Sequence, residues 1–188
     1  MNNYNKILKA ATRLMSEKGY HGTSIQMISD EVGVTKSTII HHFMNKEGIL
    51  LAILKEFVPS ATEEIKEITK DKALNGIDKL KKFLQSHMHA VEEHRAVLNL
   101  YLRESRYFSV SQRRIYKKNG RAYANQVEDI IKQIQRENKE VFKGLIPKVV
   151  ANSILGMVNY ATVWYQRRGK LDEDQMAEHF YKIVIGEI

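Results

Sequence analysis

Cysteine is absent from this 188-residue chain, tryptophan occurs once and proline twice. Without cysteine there is neither a disulfide framework nor a thiol nucleophile, and a chain of this length rests on one or two modest apolar cores. No apolar run approaches the ~20 residues that a membrane-spanning helix requires. The opening MNNYNKILKA lacks the unbroken apolar segment of a signal peptide. A soluble, cytoplasmic protein with no membrane partner is therefore the expectation. No stretch alternates with period two over a useful length, so the pattern reads as all-α. A phosphate-cradling glycine loop, an HExxH helix and a GxSxG elbow are also missing, and no enzyme is expected. A helical enzyme without a recognised motif stays as the remote alternative. The basic, one-sided amphipathic helix of a membrane-surface protein is likewise not found. Neither an internal repeat nor a low-complexity segment interrupts the chain.

What is there centres on Thr23 to Phe43, TSIQMISDEVGVTKSTIIHHF. Ser24 is suited to capping a short helix whose inward face is Ile25, Ile28 and Val32. Gly33 breaks that helix, and Thr35 caps a second one backed by Ile39 and Phe43. Lys36, Ser37, Thr38, His41 and His42 point the other way, a surface of hydrogen-bond donors without a carboxylate. A short helix with a buried back and donors in front suits the DNA major groove.

A preceding helix from about Asn3 to Lys18 carries the stripe Ile7, Leu8, Ala11, Leu14 and Met15, and Gly19 ends it. Asn45 reads as the cap of a fourth helix, with Ile49, Leu50, Ile53, Leu54 and Phe57 inward and Pro59 kinking or ending it. Lys46, in its first turn, is a candidate for holding a phosphate. A boundary at residue 46 then separates a helix-turn-helix domain (1–46) from a larger helical domain (47–188). In that second domain a fifth helix follows Ile77, Leu80, Leu84, Met88 and Val91, and a sixth follows Val97, Leu98, Tyr101 and Leu102. A long seventh runs from Tyr116 to Arg136. The eighth opens at Pro147 and ends at Arg167-Arg168-Gly169, and Asp172-Glu173-Asp174-Gln175 forms a capping box for the ninth. About nine helices result.

Charge is distributed unevenly. The net charge is +8, which suits an anionic partner, yet residues 1–48 hold only six Lys/Arg against four Asp/Glu. Between Tyr101 and Arg121 lie Arg103, Arg106, Arg113, Arg114, Lys117, Lys118 and Arg121 against Glu104 alone. That run is either a solvated face or an anion site, with aromatic residues interleaved and guanidinium forks matched to phosphate. His87, His89 and His94, with Glu92 and Glu93, suit a metal or an exposed helix face equally, and no metal or cofactor is assigned. The eighth helix is apolar or small almost all round, which places it in a core or against a partner chain.

On Ile7-Leu8-Lys9-Ala10-Ala11, Glu17-Lys18-Gly19-Tyr20, Thr23-Ser24, Gly33-Val34-Thr35-Lys36, Thr38, His42-Phe43 and Asn45-Lys46-Glu47, the chain resembles the TetR family of transcriptional repressors. The resemblance implies sequence-specific binding of a near-palindromic double-stranded operator by a homodimer, and release by a small-molecule effector. It implies groove contacts from Thr35, Lys36, Ser37, Thr38 and His41, and phosphate contacts from Ser24, Gln26, His42 and Lys46. Ser37 stands where the family commonly has glycine. Ile40 stands where it has a DNA-touching tyrosine, leaving a thymine methyl as Ile40's partner. The last two helices pair in such dimers, which puts Leu155, Val158, Met176 and Phe180 at the seam.

A second resemblance rests on Leu102-Arg103-Glu104-Ser105-Arg106, Gly156-Met157-Val158-Asn159-Tyr160, Trp164-Tyr165 and Gly169. It is to TetR-like repressors of lipid breakdown, and it implies an acyl-CoA effector. Leu84, Met88, Tyr123, Val127 and Asn159 would line the acyl channel, with Asn159 and Tyr101 at its mouth. Arg103, Arg106, Arg167 and Arg168 would meet the phosphates, and Trp164 would stack on a ring. The alternative is a regulator of efflux that binds hydrophobic compounds.

Overall fold

The computed structural model describes residues 2–104, 110–165 and 169–186, without the side chains of 56–60, 110–112, 115 and 116. All regular structure among the described residues is helical: α1 (Asn3–Gly22), α2 (Ile25–Val32), α3 (Lys36–Phe43), α4 (Lys46–Lys70), α5 (Gly76–Glu104), α6 (Val110–Glu137), α7 (Pro147–Trp164) and α8 (Glu173–Ile185). The stretches read from sequence as fifth and sixth helices are one helix, α5, bent at His94 (φ −119°, ψ 23°). No described helix is long and apolar enough to cross a membrane.

Two compact units emerge, and they do not divide at residue 46. The first comprises Met1–Pro59 and Ala96–Tyr116, the second Ser60–Arg95 and Lys117–Ile188. The reason lies in the packing of the first unit. Ile49, Leu50, Ile53 and Leu54 of α4, and Leu100 of α5, share one apolar core with Ile7, Leu14, Ile28, Ile39 and Phe43. Cutting at 46 would expose those side chains, each worth about 1.5–3 kcal/mol of burial. Helices α4, α5 and α6 therefore each begin in one unit and finish in the other.

Several local predictions are realised atom by atom. Asn45 Oδ1 accepts from Gly48 N–H at 2.8 Å, which caps α4. Asp172 accepts from Gln175 N–H at 2.8 Å while Gln175 Oε1 accepts from Asp172 N–H at 3.0 Å, a reciprocal capping box. Two helix ends fall elsewhere. α4 runs through Pro59 to Lys70, its later turns held by buried Ile65 and by the Glu63–Lys66 ion pair. α7 stops at Trp164, because Tyr165 leaves the helix (φ −67°, ψ 135°) to bury its ring while Arg95 donates to its carbonyl. In the second unit Lys79, itself buried, joins α4 to α6 by donating to Thr69 O and Gln133 Oε1.

Candidate DNA-binding site and effector unit

Capping and close approach shape the turn between α2 and α3. Ser24 Oγ accepts from Met27 N–H at 3.1 Å and starts α2. Gly33 ends it in the left-handed region (φ 73°, ψ 35°), and the N–H groups of Gly33 and Val34 both donate to Ser29 O. An L side chain resists that backbone conformation, so glycine sets the turn. Thr35 Oγ1 accepts from Thr38 N–H at 3.1 Å and lies 2.9 Å from the Thr38 hydroxyl. With Ile39 and Phe43 buried, the open face of α3 presents Lys36, Ser37, Ile40 and His41, Ile40 being 48% exposed. Thr35 and Thr38 are tied to the cap. His42 is exposed and packs edge-on against Tyr4. Gln26 is exposed on α2, its amide within reach of Ser29 and Asp30 of the same helix.

Lys46 is a correction. Its Nζ donates to Tyr20 O and to Thr23 O, both at 2.8 Å, and lies 4.4 Å from the centre of the Tyr20 ring. Burial lowers its pKa, with Glu104 opposing that shift. Those two carbonyls face the ammonium where the last turns of α1 close, so Lys46 ties α1 to α4 instead of reaching outward to a phosphate.

In the second unit, Leu84, Met88 and Val127 are fully buried. His87, on the same stripe of α5, is 5% exposed, and its Nδ1 lies 3.1 Å from the Tyr123 hydroxyl. Phe83 packs on both rings, with centroids 5.7 Å from His87 and 6.2 Å from Tyr123. The second ring nitrogen, Nε2, is buried with no hydrogen-bond partner. Burial lowers the His87 pKa to about 4, outweighing the Asn159 amide, which favours the protonated ring. Burial likewise pushes the Tyr123 phenol upward. Leu84, Met88, Tyr123, Val127 and Asn159 thus share one unit, whereas Tyr101 packs against the core of the other and Arg103 is exposed there. Arg106, Arg167 and Arg168 lie outside the described residues.

Sequence reading missed His87 as a polar group of the interior. The signal was present: His87 stands on the apolar stripe of Leu80, Phe83, Leu84, Met88 and Val91, not beside it. His94 instead lies at the bend of α5 with Glu93, and no cluster placed for a metal occurs among the described residues.

Two family models match the chain, "Bacterial regulatory proteins, tetR family" over residues 7–53 and "Tetracyclin repressor-like, C-terminal domain" over residues 73–188. The chain belongs to the TetR family. This TetR-family chain is 26% identical to the fatty acid metabolism regulator protein of Bacillus subtilis (strain 168), over 98% of its own length and 95% of the relative's. Its structure is similar to that of AibR in complex with isovaleryl coenzyme A and operator DNA, with a TM-score of 0.87, 25% identity and 98% of each chain covered. It also shares its fold with the ketosteroid regulator KstR2 of Mycobacterium tuberculosis, with a TM-score of 0.89 at 22% identity, covering 100% of this chain and 95% of that one.

The residues expected at a subunit seam are for the most part buried within the single chain. Val158, Met176 and Phe180 are at most 5% exposed within the single chain, and Leu155 is half-buried. They fasten α7 and α8 to their own unit. The exposed apolar side of α7 is Val149, Tyr160, Val163 and Trp164, each between 49% and 63% exposed, with Ile183 of α8 at 57%. Trp164 packs edge-on to Phe180 at 6.3 Å. At the start of α7 a cleft of about 530 Å³ opens between Phe142, Leu145, Ile146, Val149, Ile154 and Val184.

Proposed function

We propose that this chain is a homodimeric repressor that binds a near-palindromic operator and leaves it when an acyl-CoA enters the second unit. One observation carries the reading. The likeness to a fatty acid regulator, and to a regulator holding both an acyl-CoA and DNA, spans the entire chain and is not confined to the helix-turn-helix. The chain works by binding alone, without catalysis, in the cytoplasm where operator DNA is found.

The physical features are consistent with each part. Lys36, Ser37, Ile40 and His41 lie open on α3, in the first turn and along the front, where base edges are read. Two-fold pairing sets two such helices about one DNA turn apart, ~34 Å. The seam is the exposed stripe Val149, Gly156, Tyr160 and Val163, at intervals of seven, four and three, joined by Ile183 of α8. Exposed apolar side chains repeated along one helix face are what a stable dimer buries. The interior of the second unit supplies apolar lining for an acyl chain through Leu84, Met88 and Val127. The basic residues of α6 that belong to this unit, Lys117, Lys118 and Arg121, are exposed and suit CoA phosphates. An effector that prefers a different separation of the two α3 helices shifts the population away from the DNA-bound state.

Titration calorimetry with palmitate, palmitoyl-CoA and isovaleryl-CoA tests the effector. One of the CoA esters should bind at least tenfold more tightly than the free acid. Equal affinities would point to a site for hydrophobic compounds in general, and no binding of either ester would contradict the reading.

A further inference from the structure

A buried polar nitrogen with no partner calls for an explanation, because such groups cost about 1–3 kcal/mol when left unpaired. Nε2 of His87 is one, on α5 in the interior of the second unit: the Asn159 amide acts on the ring but makes no hydrogen bond to Nε2. Resting on the acyl-CoA reading above, we propose that His87 Nε2–H is the donor that receives the thioester carbonyl oxygen of the effector, with Tyr123 as the residue that positions it.

Hydrogen-bond bookkeeping fixes the direction. Tyr123 has a single hydroxyl proton, and among the described residues its only hydrogen-bond partner is His87 Nδ1 at 3.1 Å. If the phenol donates to Nδ1, its proton is satisfied and the neutral ring carries its remaining proton on Nε2. If Nδ1–H donated instead, the phenol proton would be left buried without an acceptor. The first arrangement strands one group, the second strands two. The ring stays neutral at physiological pH, so it offers one N–H and not a charge.

Apolar surroundings select the ligand group. Phe83 packs on the imidazole, while Leu84 and Met88 are adjacent on α5 and fully buried. An N–H pointed into such an environment favours a neutral acceptor, since an anion would carry its own desolvation cost. A thioester carbonyl fits, and so does its place between an acyl chain that wants dry surface and a CoA head that wants water. The carboxylate of a free fatty acid fits poorly. The imidazole would therefore tell an acyl-CoA from its unactivated acid, a specificity that hydrocarbon packing alone cannot provide.

Isovaleryl-CoA and palmitoyl-CoA, each paired with the thioether in which a methylene replaces the carbonyl, provide the test by calorimetry. The wild-type dimer should bind at least one thioester about tenfold or more above its thioether. His87→Phe, which keeps a ring but has no N–H, should bring that ratio to about one with thioether affinity little changed. Tyr123→Phe should reduce the ratio, and His87→Gln, which keeps an N–H, should restore part of it. A residue that merely fills space would lower both affinities together. A wild-type ratio of one, with both ligands bound, overturns the His87 assignment and leaves the acyl-CoA reading standing. So does an undiminished ratio in His87→Phe or, if that variant does not fold, in Tyr123→Phe. Failure of the wild type to bind any CoA derivative overturns both.

Discussion

Two polar side chains, buried His87 and half-buried Lys46, bear on stability one residue at a time. The folded protein keeps His87 neutral down to about pH 4, whereas the unfolded chain protonates it near the ordinary value of 6.5. Unfolding takes up a proton between those limits, so stability falls as the pH drops from 6.5 towards 4 and this contribution levels off below. Denaturant titrations of wild type and His87→Phe should differ accordingly: between pH 7 and pH 5 the variant should lose about 2 kcal/mol less. Parallel pH profiles would place the ring in contact with water. Lys46 gives the second case. Its two carbonyl acceptors lie within the first unit, so Lys46→Met should lower stability by about 1–3 kcal/mol and leave the salt dependence of DNA binding unchanged. Lys36→Ala should do the reverse, leaving stability alone while changing base preference by about 1–3 kcal/mol. A salt slope reduced by about one in Lys46→Met would restore a phosphate contact there.

Between elements, the controlling feature is how closely backbones approach and which helix face is left open. A Cβ on Gly48 would lie 1.9 Å from Phe43 O, so α4 can start where it does only with glycine there. Gly48→Ala should unfold or strongly destabilise the first unit, by more than ~3 kcal/mol, read as a fall in midpoint in thermal melts. The helix starts, stops and caps around Ser24, Gly33, Thr35, Asn45 and Asp172 were legible in sequence because each is settled within four residues of itself. The face of α7 was not. That helix carries apolar residues on both sides, Val150, Ile154 and Val158 on one and Val149, Tyr160 and Val163 on the other, and only packing against the rest of the unit decides which is inside. Lys46 and His87 were misread for the same reason, since their partners come from distant helices. Val149→Asp or Tyr160→Glu should therefore give folded monomers by light scattering, and Val158→Asp should give unfolded or aggregated chains. If Val158→Asp instead produced well-folded monomers, the seam would lie on the other side.

At the scale of the whole molecule, three helices are shared between the unit that carries α3 and the unit proposed to take the effector. α4, α5 and α6 each pass from one compact unit to the other, and α5 bends at His94, next to its crossing at Arg95–Ala96. Since each of these helices belongs to both units, a ligand that favours one arrangement of its second half biases the first. The coupling needs no large energy. A hundredfold loss of operator affinity corresponds to about 2.7 kcal/mol of preference between the two arrangements. Net charge bears on affinity at the same scale, because an excess of +8 strengthens encounter with DNA of any sequence and makes all binding depend on salt.

The most direct test of ligand-controlled DNA binding is fluorescence anisotropy on an operator recovered by selection from random duplexes, titrated with dimer at fixed salt. Adding isovaleryl-CoA or palmitoyl-CoA should weaken operator binding by ten- to a hundredfold, while free CoA and free fatty acid should leave it nearly unchanged. Operator binding that no acyl-CoA alters, at concentrations where calorimetry shows the ester bound, would contradict it.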